Sequence, residues 1–228
     1  DQPTWNIWEY DLELSSLSRI MSLDEAEKGQ DISPSYLPDG RILFTSTRQS
    51  LSKAILADEG KQQFIAQDDA RNSDAFVLHT MSADGDDIKQ ITFNQSHDLS
   101  PTVLENGKIL FSRWDNTGQT NSNGMNLYQV NPDGSGLTYI YGRHSHDSGS
   151  DGGNVQFAKP LELQNGNIAV QLREFEATDL SSQPTEIDII EFIEFDVAID
   201  GASGEGHSAI ISGLNTNGAI SLKGSYGA

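Results

Sequence analysis

The run His144-Ser-His-Asp-Ser-Gly-Ser-Asp-Gly-Gly-Asn154 concentrates side chains that hold metals. His144, His146, Asp147 and Asp151 place two imidazoles and two carboxylates within eight residues, a donor set that suits zinc, while the oxygens of Asp147, Asp151 and Asn154 suit calcium. Their spacing matches neither the calcium-loop pattern nor the paired-histidine helix of metalloproteases, and a Gly/Ser/Asp-rich stretch is ordinarily a turn-forming connection. A calcium or zinc ion is the cofactor this loop allows, not one it demands. A second concentration of charge, Glu174, Glu176, Asp179, Glu186, Asp188, Glu191 and Glu194, contains the carboxylates a glycoside hydrolase would need, but it reads more simply as a solvated face.

Other chemistries lack their residues. There is no cysteine, hence no disulfide, thiolate zinc site, covalently attached haem or cysteine nucleophile. No Gly-rich loop ends in the Lys-Ser/Thr that cradles phosphate, and Gly206-His-Ser-Ala-Ile lacks the closing glycine of a nucleophile elbow. A net charge of −20 opposes nucleic-acid binding, which rests on cations displacing counterions from phosphates. No apolar run approaches the roughly 18 residues that a membrane span needs. The sequence opens Asp1-Gln-Pro-Thr-Trp5 without an initiator methionine or apolar leader, as expected of a processed chain or a fragment.

The elements that would position these groups come from a repeat. Asp31-Ile-Ser-Pro-Ser-Tyr-Leu-Pro-Asp-Gly-Arg-Ile-Leu-Phe-Thr45 recurs as Asp98-Leu-Ser-Pro-Thr-Val-Leu-Glu-Asn-Gly-Lys-Ile-Leu-Phe-Ser112, and more weakly as Lys159-Pro-Leu-Glu-Leu-Gln-Asn-Gly-Asn-Ile-Ala-Val170. A faint further copy keeps Gly218 and Ile220. A second unit follows the first: Phe76-Val-Leu-His-Thr-Met-Ser-Ala-Asp-Gly85 and Asn126-Leu-Tyr-Gln-Val-Asn-Pro-Asp-Gly134, echoed by Asn6-Ile-Trp-Glu-Tyr-Asp11 and Phe195-Asp-Val-Ala-Ile-Asp-Gly201. Nine of the 21 glycines follow Asp or Asn, pairs that supply the positive φ of tight β-turns. The flanking runs alternate apolar and polar residues, as strands do. One period is thus a four-stranded antiparallel blade, and the spacings of 67 and 59 residues between Pro34, Pro101 and Pro160 leave room for long loops. Radial repetition of such sheets is a β-propeller.

The pattern Ser33-Pro34 … Pro38-Asp-Gly-Arg-Ile-Leu-Phe-Thr-Ser-Thr-Arg48, with Leu127-Tyr-Gln-Val-Asn-Pro-Asp-Gly-Ser-Gly136, resembles the TolB-like propeller repeat. Phe44-Thr-Ser-Thr-Arg48, Leu110-Phe-Ser-Arg-Trp114 and Asn131-Pro-Asp-Gly-Ser135, followed by Ile140-Tyr-Gly142, are similar more narrowly to the propeller (middle) domain of hydrazine synthase alpha-subunit-like proteins, mostly large exported bacterial proteins. The match covers about residues 5 to 142. It implies an all-β fold, a propeller of six blades in the full ring, and a periplasmic, extracellular or cell-surface location. The family's redox chemistry belongs to regions with Cys-x-x-Cys-His haem motifs, which this sequence lacks, so a covalent haem and a redox role do not carry over.

The expected organisation is one propeller region over 1–228, an incomplete ring of about three to four blades: a partial blade at 5–21, blades at 31–93 (with an insertion at 48–73) and 98–142, a degenerate blade at 159–211 and a partial blade at 212–228. Open blade edges pair readily, so the ring is expected to be completed by the remainder of a longer polypeptide or by a protein partner. Strict up-and-down connectivity puts the long connections 22–33, 48–73, 114–125 and 143–159 on one face, opposite the minimal turns 38–41, 83–86, 104–108, 132–136 and 164–167. The 48–73 insertion is expected to hold a short helix capped near Ser50 or Ser52. Arg48, His97, Asp98, Trp114 and Arg143 make up the candidate ligand or partner face. His97-Asp98, paralleled by Gln30-Asp31, reads as an aspartate capping the turn into the first strand rather than as a ligand pair. Trp5, Trp8, Tyr10, Trp114, Tyr128 and Tyr139 read as core. The functional expectation is a non-catalytic, exported propeller module that binds a protein or other ligand on its loop-rich face. The alternative is a part of an exported redox or hydrolytic enzyme with a metal in loop 143–159.

Overall fold

The computed structural model describes residues 4–68, 71–114, 125–141, 155–174, 186–190 and 211–212. Two strands, β1 (Trp8–Asp11) and β2 (Ser16–Arg19), form an antiparallel hairpin. Three four-stranded antiparallel sheets follow in chain order. Sheet I holds β3 (Asp31–Tyr36), β4 (Ile42–Ser46), β5 (Val77–Met81) and β6 (Lys89–Gln90). Sheet II holds β7 (Asp98–Val103), β8 (Ile109–Trp114), β9 (Met125–Val130) and β10 (Thr138–Tyr141). Sheet III holds β11 (Val155–Glu162), β12 (Ile168–Glu174), β13 (Glu186–Ile190) and β14 (Ile211–Ser212). Each sheet pairs its strands strictly in sequence, an up-and-down order in which tight turns alternate with longer connections.

Five turns share one hydrogen-bonded geometry. In the first, the Leu37 N–H donates to the Arg41 carbonyl and the Gly40 N–H to the Leu37 carbonyl; Ser82, Leu104, Asn131 and Leu163 begin equivalent turns. The glycine alone has a positive φ, from +80° to +87° across the five, while the Asp or Asn before it uses its side chain to accept from the backbone N–H two residues on. The Asx residue therefore contributes a hydrogen bond rather than the left-handed conformation that the sequence suggested for the pair. This is a turn closed by a glycine bulge. Because the strands are antiparallel, all five turns lie at one end of their sheets and the longer connections at the other.

Each first strand is interrupted at the same point. Register shifts separate Ile32 from Ser35, Leu99 from Thr102 and Ala158 from Leu161, and the residue before the proline is left-handed in all three: Ser33 (φ 53°), Ser100 (φ 51°) and Lys159 (φ 49°). A bulge leaves a residue unpaired, which is where proline, having no N–H to give, is tolerated in a sheet. Ser33-Pro34-Ser35, Ser100-Pro101-Thr102 and Lys159-Pro160 together line one open cavity of about 300 Å³. The first strands of the three sheets thus converge on shared space.

The apolar core lies between sheets. Leu37, Leu43, Leu78 and Ile91 of sheet I and its exit meet Ile109, Phe111 and Val130 of sheet II. Leu104, Leu110 and Leu127 meet Phe157, Ile168 and Val170 of sheet III. On the other side of sheet I, Ile42, Phe44 and Met81 meet Ile7, Met21 and Ala26, which belong to the hairpin and the segment after it. Gly85 and Gly134 hold equivalent turns against the neighbouring unit: a Cβ at either would lie 2.5 Å from the Ile20 carbonyl oxygen or 2.7 Å from that of Ile91. The hairpin therefore occupies the place of a third and fourth strand. Its aromatics depart from the expected core: Trp5, Trp8 and Tyr10 are exposed, because no described sheet covers that face, whereas Trp114 is buried.

Among the described residues, two helices decorate the long-connection end. The expected helix in the insertion is α2 (Ser50–Asp58), but its cap is neither Ser50 nor Ser52: Gln49, in left-handed conformation, precedes it and makes no side-chain cap. A four-residue helix, α1 (Leu23–Ala26), lies in the first long connection, capped by the Ser22 hydroxyl accepting from the Glu25 N–H. Among the described residues no helix is long and apolar enough to cross a membrane.

Candidate functional site

The long-connection end of sheets I and II is built on two buried ion pairs. Asp31 and Asp98 are the first residues of their sheets, and both are fully covered. Burial pushes each carboxyl above its ordinary range, and a guanidinium works against that rise. Asp98 accepts from Arg113 Nε at 2.8 Å and Nη2 at 2.9 Å, and from Asn94 Nδ2 at 3.1 Å. Asp31 accepts from Arg48 Nη2 at 2.6 Å, and Arg48 Nε donates to the Ser46 hydroxyl at 3.1 Å. Register explains the difference. Arg113 stands directly opposite Asp98, whereas Ser46 stands opposite Asp31 and Arg48, two residues on, reaches back to fill the place. The two aspartates thus tie first strand to second, and the expected turn cap is replaced by a cross-strand pair.

Each guanidinium lies over an aromatic ring of the second strand, Arg48 over Phe44 at 5.7 Å and Arg113 over Phe111 at 5.5 Å, and Arg113 also over Tyr128 at 5.1 Å. His79 occupies in sheet I the register position of Tyr128 in sheet II, stacked on Phe44 as Tyr128 lies beside Phe111. Burial drives the His79 pKa down to about 4, aided by the nearby Arg48 charge, so the imidazole is neutral near pH 7. Its Nδ1 lies 2.9 Å from the Val77 carbonyl oxygen, and its Nε2 has no partner.

His97 is enclosed between Phe76 and Trp114, with ring centroids 6.0 Å from each, and its Nδ1 accepts from the Phe76 N–H at 3.1 Å. Asn94 fastens the same corner through the carbonyls of His97 and Trp114. Of the candidate face, then, Arg48 is buried at the long-connection end of sheet I, and His97, Asp98 and Trp114 are buried together at that of sheet II. Arg143 and the candidate metal residues His144, His146, Asp147 and Asp151 lie outside the described residues. Among the described residues no three His, Asp or Glu side chains converge to hold a metal ion.

What this end of sheet I presents to solvent is the insertion. Gln49 clamps it: its Nε2 donates to the carbonyls of Ala66 (3.0 Å) and Ala75 (2.9 Å), and its Oε1 accepts from the Ala66 N–H (2.9 Å). Gln90 does the same for the helix start, donating to Ser52 Oγ at 2.8 Å. So held, the insertion exposes Leu51, Ile55 and Phe64. Beside it a cavity of about 400 Å³ is walled by Glu25, Lys28, Arg48, Ser50, His79 and Lys89. Its cations are already engaged: Lys28 with Glu25, Arg48 with Asp31, Lys89 with Asp87. Sequence reasoning passed over Arg113, Asn94 and Gln49; the only signal for Arg113 was an arginine near the end of the strand after each Asp-x-Ser-Pro.

No protein-family model matches the sequence, and no curated protein matches it. Among solved structures the chain is similar to Kuenenia stuttgartiensis hydrazine synthase, with 18% identity and a TM-score of 0.56 over 82% of this chain and 28% of that one. An endo-1,4-beta-xylanase from Bacteroides thetaiotaomicron aligns at 11% identity with a TM-score of 0.39 over 85% of this chain and 75% of that one, too low a score to carry an argument. The hydrazine synthase likeness is one of fold. It agrees at that level with the motif resemblance, and this chain spans little more than a quarter of that protein's length.

Proposed function

We propose that residues 1–228 are part of a β-propeller of the TolB-like, hydrazine synthase alpha-subunit-like type, serving as a non-catalytic, extracytoplasmic module that recognises a protein or other ligand with its long-connection end. One observation carries the reading: Pro34, Pro101 and Pro160, each after a left-handed residue and at a bulge, line a single cavity, as equivalent innermost strands about an axis would. The loop end supports the recognition role. There the arginines and aspartates are spent on rigidity, and a clamped insertion displays Leu51, Ile55 and Phe64, the combination of fixed frame and variable loop on which binding surfaces are commonly mounted. The extracytoplasmic location rests on the motif resemblance to exported proteins.

The test is photo-crosslinking from a reactive group at Phe64, on the loop end, compared with one at Asn106, in a tight turn, in material from the producing cell. Discrete adducts from position 64 alone are expected; adducts of equal yield from both, or from 106 alone, would overturn the reading. Titrating the same chain with zinc and with calcium separates the enzymatic alternative, which needs a bound metal that disappears when His144 and His146 are both replaced by alanine.

A further inference from the structure

The three complete sheets define what stands beside a third strand, and the amino-terminal hairpin lacks it. In the repeat register Ile7 corresponds to Leu78 and Leu127, Trp8 to His79 and Tyr128, and Tyr10 to Met81 and Val130. The equivalence holds in the backbone: the Asp31 N–H donates to the Trp5 carbonyl as the Asp98 N–H does to that of Phe76. Yet β5 and β9 are each flanked by a second strand, and β1 is paired only with β2 among the described residues.

The vacancy continues into an interface that is otherwise built. In the two complete inter-sheet cores the preceding sheet contributes a leucine from the first turn and one from the second strand, Leu37 with Leu43 and Leu104 with Leu110. The core on the hairpin side of sheet I has Ile7 in the place of Leu78 and Leu127, but neither of those leucines. A third observation agrees. Asn6 aligns with Asn126, which stands opposite Arg113, and its Oδ1 is buried without a partner.

We infer that the free edge of β1 is a docking site for a β-hairpin of this same repeat, carried by polypeptide outside residues 1–228. The inference rests on the propeller reading and adds the chemistry of the missing piece. The docked hairpin has a leucine three residues before the glycine of an Asx-Gly turn and another three residues after it, an aromatic residue next to stack on Trp8, and an arginine two residues further to donate to Asn6 Oδ1. Main-chain hydrogen bonds to β1 supply affinity, and these four side chains supply specificity.

The probe is a synthetic peptide with the sequence Asp98 to Arg113, added to the 228-residue chain while backbone hydrogen exchange is followed. Saturable binding, with new protection confined to residues 6–11 and a change in tryptophan emission, is expected. Replacing both leucines of the peptide (Leu104→Ser, Leu110→Ser) abolishes it, and Arg113→Ala in the peptide weakens it roughly tenfold, the loss of one charge-assisted hydrogen bond. Three results overturn the inference: no binding up to the peptide's solubility limit, slow exchange without any peptide at the amides of 6–11 that point away from β2, or protection of those amides that grows with chain concentration, which would assign the edge to a second copy. Failure of the underlying reading shows in a different measurement, because Ser35 and Thr102, once replaced by cysteine, could then not be bridged across the space that the first strands share.

Discussion

Arg113 has one task that no neighbour can assume, which is to answer the charge of an aspartate held away from water. Removing one member of a buried, hydrogen-bonded pair leaves the other uncompensated, at a cost of roughly 3–5 kcal/mol. Arg113→Ala is therefore expected to lower unfolding free energy by about that amount in urea denaturation, and Arg48→Ala comparably, since Asp31 is as deeply covered. His79 makes a separate prediction. Its pKa is about 4 in the fold against 6.5 in an ordinary setting, so between those values the unfolded chain binds more protons. Its contribution is whole above pH 6.5 and falls away as pH drops toward 4, by about 3 kcal/mol over the window. Asp31 and Asp98, whose pKa values are raised, pull the other way as pH rises through the carboxylate range, so the His79 effect is read as a difference. His79→Phe, which keeps the ring on Phe44, should flatten the acid-side slope of stability relative to the parent chain; an unchanged slope would exclude His79 as its source.

The strand order and the turns were legible in the sequence because their causes are local. An Asx-Gly pair carries its own turn chemistry, and alternation announces the strands that flank it. The bulges were not legible, since the left-handed residue is Ser33, Ser100 or Lys159 and only the proline beside it is constant. Nor was the ion pair: Arg48 lies eight residues after its turn glycine and Arg113 six, so no alignment superimposes two side chains that the fold brings to one role. Trp8 and Tyr10 misled because the repeat gives them core positions that no described sheet covers. Two element-level predictions follow from contacts between units. Gly85→Ala and Gly134→Ala force a methyl against backbone and should cost clearly more stability than Gly40→Ala, which meets nothing within 4 Å and bears only the left-handed penalty of about 1–2 kcal/mol. Gln49→Ala should release the insertion, read as faster tryptic cleavage after Lys61 with the melting of the sheets little altered.

At the scale of the molecule, each sheet buries little within itself and most against its neighbours, so the arrangement of sheets is where the fold's stability resides. The exposed end of that series is the hairpin, and the proposed recognition surface is the end of the sheets opposite the tight turns. All of this depends on the first strands facing one another across a common space. The absence of cysteine from the sequence makes that directly measurable. Ser35→Cys and Thr102→Cys, both lining the shared cavity, should be joined efficiently within a folded monomer by a short bismaleimide, whereas Ser35→Cys with Thr138→Cys, on the last strand of sheet II, should not. Equal yields from the two pairs, or no product from the first, would contradict the account.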